Sequence, residues 1–556
     1  MSDRSIAVLA VAALIVACLA GYTWYSNNSM SMPMDGMQQQ NAMDMASNQD
    51  ISALLNNHSY AKNLIKPKAG QTIKAFTLEA KEDTLHISEN KTIPVWTFNG
   101  TVPGPAIRVN QGDYVKVTVR NTLPSPITVH WHGYPVVSGM DGIPGVTQDA
   151  IRTGETFTYE FSAEVPGTYW YHSHQEGAKE VDKGLYGALI VDPKEGTQEK
   201  RDYTLILDEW MPNQSEDMNM SSMGSTNSMT DMSGMDDMTD MKENDSPMPD
   251  MATNNASPVT KALLKEENMM KDQYNIFTVN GKSGKMIDPL YAAKGETIRV
   301  RLINAGYRAH GIHVPDESFK VVSTDGQPIV GASTIKDQVI MIGPGERYDL
   351  LITVTSKDNF FLDFHDSNKY NDQIKIPVIV EYGTNQFKTG LAKTLKIFDL
   401  STYDKSENTG IKLTDKFAMD YNMELAARLG DKGLLYTINE KTFTDAPALK
   451  VKTGDLIKMT IVNKSPVDHP MHLHGHFFQV LAKNNVPVNG TIMKDTLLIR
   501  PDEKYVIAFK ANNPGLWVQH CHELHHAAAG MMQMVEYTDY KSNYTPNLRD
   551  TFNKPE

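Results

Sequence analysis

The chain has 556 residues, too many for one core and enough for three or four domains. Its 53 Lys and Arg against 67 Asp and Glu give a net charge of −14 and a pI near 5.7. No basic cluster appears, which argues against nucleic acid as a partner, because phosphate binding calls for grouped cations. Two cysteines exclude a disulfide-built fold, and methionine is the outlier with 31 residues.

In chain order, Ile6 to Tyr25 is a run of 20 mainly apolar residues, long enough to span a bilayer and read here as an export signal. Ile15-Val16-Ala17-Cys18 has the form of a bacterial lipobox, whereas Trp24 and Tyr25 suit the interfacial end of an uncleaved anchor. Both readings place the rest of the chain outside the cytoplasm, tethered to the membrane. Cys18 then belongs to the tether, and Cys521 has no intramolecular disulfide partner. Residues 26–60 read as a flexible, Met-containing linker.

A repeat follows. QGDYVKVTVRN (111–121), KGETIRVRLIN (294–304) and TGDLIKMTIVN (453–463) each place an acid after Gly, then alternate apolar and polar residues, then end on Asn. That alternation is the period of a half-buried strand. A second element follows each copy at 151, 342 and 499, and a third, PGTYWYHSH at 166 and PGLWVQHCH at 514, closes the first and last copies. Three β-rich units predict an all-β chain of three Greek-key sandwich domains. We place the domains at 61–197, 198–390 with an insert at 211–270, and 391–556.

Aligned on Asn121, Asn304 and Asn463, the histidines fall into register: His130 in HWHG, His313 and His472 in HLHG each lie nine residues on. The middle copy carries His310 where the last carries His469, yet its closing element, NFFLDFHDS, lacks cysteine. It reads as a degenerate copy, with His310, His313 and His365 structural.

Most histidines lie in HWHG (130–133), HSH (172–174), HPMHLHGH (469–476) and HCHELHH (520–526). On a strand, residues i and i+2 share a face and the residue between takes the other. His520 and His522 therefore point away from Cys521, so one strand can serve two metal sites. Two His, one Cys thiolate and a weak axial Met make a blue-copper site, and His469, Cys521, His526 and Met531 supply that set. Structural zinc favours closed sites with paired cysteines, which one Cys and eight further histidines do not provide.

These four motifs, with NGTVPGPAIRVNQGD at 99–113, resemble the multicopper oxidases, the family of laccases, bacterial cuprous oxidases and ferroxidases. The resemblance runs from about Thr72 to Tyr537 and implies three cupredoxin-like domains and four copper ions. It implies that His469, Cys521, His526 and Met531 hold a mononuclear blue copper. His130 and His472 would hold the single copper of a three-copper cluster, and His132, His172, His174, His474, His520 and His522 its coupled pair. Electrons from a reductant would enter near His469 and His526 and pass through Cys521 to His520 and His522, and four of them would reduce dioxygen to water. Asp141, in MDGIPG, stands where family members place a proton-supplying carboxylate; as a plain Asp-Gly turn it would need no such role. Many relatives carry an acid after the last mononuclear-site His, where this chain has Ala527. His476, His525 and His86 fall outside the ligand set and read as supporting or surface residues. Asp468 could orient His469, help bind a reductant or simply be solvated.

From Met211 to Met251 the chain holds 11 Met and nine acids among Ser, Thr, Asn and Gly, a composition that predicts disorder. Thioether sulfur suits Cu(I), so this insert, with SMSMPMDGM at 29–37, is read as a collector of additional Cu(I). Similar inserts occur in copper-resistance members of the family. The Met that some cuprous oxidases place two residues before the first mononuclear-site His is absent from SPVDHP here. The expected function is extracytoplasmic Cu(I) oxidation coupled to dioxygen reduction, serving copper tolerance, in a monomer. A laccase acting on phenols, a ferroxidase acting on Fe(II) and a non-enzymatic copper-storage protein are the alternatives; a complete ligand set favours turnover.

Overall fold

The computed structural model describes residues 66–211, 256–315, 317–366, 369–388, 395–404, 406–431, 433–443, 445–545 and 552–555. The expected anchor, the linker with Cys18 before it, and the Met-rich stretch from 212 to 251 lie outside them. Among the described residues, no helix is long and apolar enough to cross a membrane.

The strands form three successive pairs of sheets. In the first pair, a four-stranded sheet built around Ile73–Ser88 and Tyr114–Asn121 accompanies a three-stranded sheet that carries Gly167–His172. The middle and last copies each pair larger sheets. In the last copy one sheet runs Gly433–Ile438, Met419–Gly430, Leu456–Asn463, Lys504–Lys510, Phe478–Lys483, Val486–Lys494. The other runs Leu449–Val451, Met532–Tyr537, Leu516–Cys521, His469–Leu473, Thr496–Ile499.

The repeated sequence signatures have a common physical cause. In each first element the Gly takes a positive φ, 94° at Gly112, 86° at Gly295 and 93° at Gly454. The acid that follows turns its carboxylate back onto the backbone N–H three residues earlier: Asn110 to Asp113, Ala293 to Glu296, Lys452 to Asp455. The terminal asparagines are fully buried. Asn121 Nδ2 donates to the carbonyls of Ser125 and Ile151, Asn304 Nδ2 to Arg308 and Ile342, and Asn463 Nδ2 to Val467 and Ile499. Each Oδ1 accepts the N–H two residues on. A buried amide satisfied on both ends fixes the crossing from one sheet to the other, and no other residue type supplies that donor-acceptor pair at that length.

One strand departs from the half-buried pattern. Arg299 and Arg301 of Thr297–Asn304 are only 5% and 3% exposed, because the face that alternation assigns to solvent lies against the first copy. Arg301 bonds Asp202, Thr168 and Asp349 there, and Arg299 bonds Asp349.

A helix, Pro258–Gln273, follows the Met-rich stretch, beginning inside the segment read as insert and running just past its end. Its start is written locally: Ser257 caps it by accepting from Thr260 N–H, and Pro258 occupies the first turn, where its missing donor costs nothing.

Candidate metal centre

HWHG and HSH are joined by backbone, His130 N–H to His172 O at 2.8 Å and His172 N–H to His130 O at 3.1 Å. HLHG and HCH are likewise paired strands, with His472 opposite His520 and Met471 opposite Cys521. Each copy thus presents four histidines on one face, and the two faces meet. Their ring nitrogens gather into compact groups: His132, His172 and His522; His174, His474 and His520; and His130 and His472 together with His132. Each of the first two triads takes residues from both copies, so neither copy can build the site alone.

On the other face of the HCH strand, Cys521 Sγ lies 3.6 Å from His469 Nδ1 and 3.7 Å from His526 Nδ1, and those nitrogens are 3.2 Å apart. Met531 is fully buried beside them, its carbonyl accepting from Cys521 N–H and its N–H donating to His526 O. The alternation expected from the sequence is what separates this group from the histidine cluster.

Partners behind the rings set which nitrogen faces inward. A carbonyl or carboxylate only accepts, so the nitrogen facing it carries the hydrogen. His130, His172 and His520 turn Nδ1 to the carbonyls of Asp141, Ser173 and Cys521 at 2.8–2.9 Å. His472 turns Nδ1 to Asp495 O at 3.0 Å, and His474 turns it to Asp141 Oδ2 at 3.0 Å. At the cysteine group the pattern reverses: His469 Nε2 meets Ser465 Oγ at 2.6 Å and His526 Nε2 meets Glu523 Oε2 at 3.0 Å, leaving both Nδ1 atoms toward the thiol.

Nε2 of His130, His172, His472 and His522, and Nδ1 of His132, are buried with no hydrogen-bond partner among the described residues. Burial pushes His132, His172, His174, His469, His474, His520 and His522 well below the ordinary imidazole range, so these rings are neutral at pH 7. So many inward lone pairs would be costly unless something bound them, and a metal ion fits that donor set.

All thirteen site residues named from sequence are brought together in these two groups or directly behind them. Asp141 is buried and touches both His474 and, through Oδ1 at 3.2 Å, His130. The remaining histidines divide. His476 is a brace, bonding His474 O and Tyr537 Oη, and His86 is exposed. Burial works against the charge on His525, but Glu523 and Asp182 overcome it and raise its pKa to about 10. In the middle copy His310 Nε2 meets Glu209 Oε1 at 2.5 Å. His365 contributes its backbone to strand Phe360–Asp366, and its side chain lies outside the described residues. Asp468 lines a small cavity with His526 and does not orient His469; Ser465 does.

Sequence reading missed Ser465, Asp495, Thr496 and Arg347. Ser465 stands four residues before His469, a spacing with no motif behind it. The others approach from distant segments, and nothing local marks them.

Paired β-sheets bearing a thiol and two imidazoles one residue away from an eight-histidine cluster define a redox protein built to hold several metal ions. Multicopper oxidase family models match residues 79–196, 201–384 and 408–540. The multicopper oxidase MmcO of Mycobacterium tuberculosis is 28% identical, over 86% of this chain and 89% of that protein. Laccase-2 of Botryotinia fuckeliana is 27% identical over 85% and 83%. Among solved structures, Fet3p, described as a multicopper oxidase that functions in iron import, superposes with a TM-score of 0.67 at 21% identity, covering 85% of this chain and 93% of that one. The chain belongs to the multicopper oxidase family: a copper-binding oxidoreductase of cupredoxin-like fold that uses dioxygen and a reductant.

Proposed function

We propose that the chain is a four-copper, extracytoplasmic, membrane-tethered oxidase whose physiological reductant is Cu(I), and that it serves copper tolerance. One ion is assigned to His469, Cys521, His526 and Met531, and three to the eight-histidine cluster, with His130 and His472 sharing one. Bound copper supplies one-electron redox chemistry and the reduction of dioxygen to water.

The chain's own residues supply the rest. The backbone of His520, Cys521 and His522 links the two sites through a few covalent bonds. Asp141 spans the Nδ1 atoms of His130 and His474, where a carboxyl group can hold and release a proton beside the cluster. Neutral, hydrogen-bonded rings keep their lone pairs aimed inward without rearrangement.

The observation that carries the choice of reductant is the cavity outside His526. It has a volume of about 50 Å³, and its lining includes three acids, Glu267, Asp468 and Glu523, two cations, Lys271 and Arg308, and Met341; Lys271 pairs with Glu267 at 2.9 Å. Organic ligands occupy pockets of several hundred Å³, whereas this space suits an ion with a water or two. Carboxylates attract a cation, and the thioether of Met341 favours Cu(I) over Fe(II). The relatives include both laccases and iron-transport oxidases, such as fetC of Epichloe festucae, so the choice rests on this cavity and on the Met-rich composition.

Oxygen uptake with Cu(I), Fe(II) and a phenol tests the reading. Glu267→Gln is expected to raise KM for Cu(I) roughly 10-fold while leaving phenol oxidation unchanged, since a rim charge contributes uniform binding. Removal of residues 213–251 is expected to lower Cu(I) oxidation selectively. Equal effects on all three reductants would return the protein to a general laccase with a linker in place of a copper collector.

A further inference from the structure

The middle copy has no cysteine to offer, yet two of its side chains, Arg347 and Asp325, hold the segment behind the histidine cluster. Thr496 Oγ1, on the last copy, lies 3.0 Å from His132 Nε2, 3.0 Å from His472 Nδ1 and 2.8 Å from Asp495 Oδ1. A hydroxyl has one hydrogen and two lone pairs. The Asp495 carboxylate only accepts, so the hydroxyl hydrogen goes to it. His132 Nε2–H donates to the hydroxyl oxygen, and His472 Nδ1–H is shared between that oxygen and the Asp495 carbonyl, each 3.0 Å away. His132 then carries its hydrogen on Nε2 and presents Nδ1, while His472 carries it on Nδ1 and presents Nε2. Those inward atoms are the ones that lack a partner, and the two rings stack with centroids 3.8 Å apart.

This hydroxyl is held from the middle copy. Arg347 Nη1 and Nη2 bond Asp495 Oδ1 and Oδ2 at 2.7 and 2.6 Å, a bidentate pair fully shielded from water. Asp325 Oδ2 accepts the N–H groups of Asp495 and Thr496 at 3.2 and 3.1 Å. Lys494 Nζ lies between Asp325 and Glu346 at 3.1 and 3.2 Å. With both oxygens taken by the Arg347 guanidinium, the Asp495 carboxylate stays an acceptor. Two glycines make room: a Cβ on Gly133 of HWHG would fall 2.1 Å from Arg347 Nη2, and one on Gly345 would fall 2.8 Å from the His522 ring.

We propose that the middle copy, through Arg347 and Asp325, holds Asp495 and Thr496 as the anchor that sets opposite tautomers on the stacked rings of His132 and His472. These are positioning residues: Thr496 and Asp495 touch the two rings, and Arg347 and Asp325 act through them. The tautomer assignment stands on the hydrogen-bond geometry alone; its consequence for metal binding rests on the ligand sets proposed above.

The test uses the full-length, copper-free protein labelled with 15N-histidine, whose ring hydrogens are located by long-range 1H–15N correlation. Wild type is expected to show His132 with Nε2–H and His472 with Nδ1–H. Thr496→Val, which keeps shape and removes the hydroxyl, is expected to abolish the single tautomer at His132, and Thr496→Ser to restore it. After copper loading, Thr496→Val is expected to weaken copper retention in the cluster about 10-fold against chelator, with the blue absorption of the cysteine site unchanged. His132 found with Nδ1–H in the wild type, or unaltered tautomers in Thr496→Val, overturns the anchor. Altered tautomers with unaltered copper retention leave the anchor standing and overturn instead the assignment of His132 and His472 as ligands.

Discussion

The middle and last copies share one strand plan down to a buried asparagine, and they differ in what stands across from their first histidines. In the last copy His472 pairs with His520 and Met471 with Cys521. In the middle copy His313 pairs with Asp363 and Ile312 with Phe364. Phe364 thus occupies the register position of Cys521. His310, the counterpart of His469, faces Glu209, whereas His469 turns one nitrogen to Ser465 and the other to the thiol. The scaffold tolerates either outcome because the asparagine crossings, the turns and the backbone pairing at these positions do not depend on which side chains stand there. A copy that loses its metal chemistry is free to contribute charge instead, as Arg347 and Asp325 do.

The strongest way to break the contrast is Cys521→Ser. It is expected to remove the blue absorption and turnover with every reductant and to lower copper content by one ion per chain, while the fold measured by circular dichroism persists. Next, Asp141→Asn is expected to keep the blue site and slow reoxidation of the reduced enzyme by about 100-fold, the size of a lost proton donor. An unchanged reoxidation rate across pH would remove Asp141 from that role.

The asparagine pair sharpens the comparison further. Asn304→Ala and Asn463→Ala each strand buried carbonyls and are expected to cost about 3 kcal/mol in denaturant unfolding. Only Asn463→Ala should also shift the blue absorption band, because Asn463 holds Ser465, which holds His469. A shift of the band in both variants would mean that the copies are mechanically coupled.

The smallest effect is expected at Glu180, buried on helix Gly177–Asp182, where it accepts from Ser173 Oγ between the two histidines of HSH. Burial raises its pKa well above the carboxylate range. A raised acid opposes folding as pH climbs from the unfolded pKa, near 4.3, toward the folded one. Glu180→Gln keeps the acceptor and should therefore match wild-type stability near pH 4 and exceed it increasingly toward neutrality. Thermal melting of the copper-free protein at several pH values would show the widening gap; a gap independent of pH would mean that Glu180 is not the titrating group.

Legibility from sequence followed the range of the forces involved. The period-2 pattern, the Gly-acid turns and the crossing asparagines act within a few residues, so three copies of them announced three repeated units. The alternation in HCH was also local, and it correctly put Cys521 on the opposite face from His520 and His522. The Ser-Pro start of helix Pro258–Gln273 was written in the chain but was absorbed into the Met-rich insert, because composition dominated the reading of that segment. Arg299 and Arg301 looked solvent-facing because alternation cannot tell water from the face of a neighbouring copy.

What the sequence determined by itself was the repeat, the alternation of strand faces and the clustering of histidines and one cysteine in four short motifs, since covalent order and side-chain alternation fix those before any packing occurs. Tertiary structure alone decided which histidines share a group, that the first and last copies close on each other, and that Arg347, 148 residues before Asp495, holds the segment behind His132 and His472. Those contacts depend on how whole sheets dock, and docking is governed by complementary buried surface and paired charge spread across three copies, which no local pattern in the chain encodes.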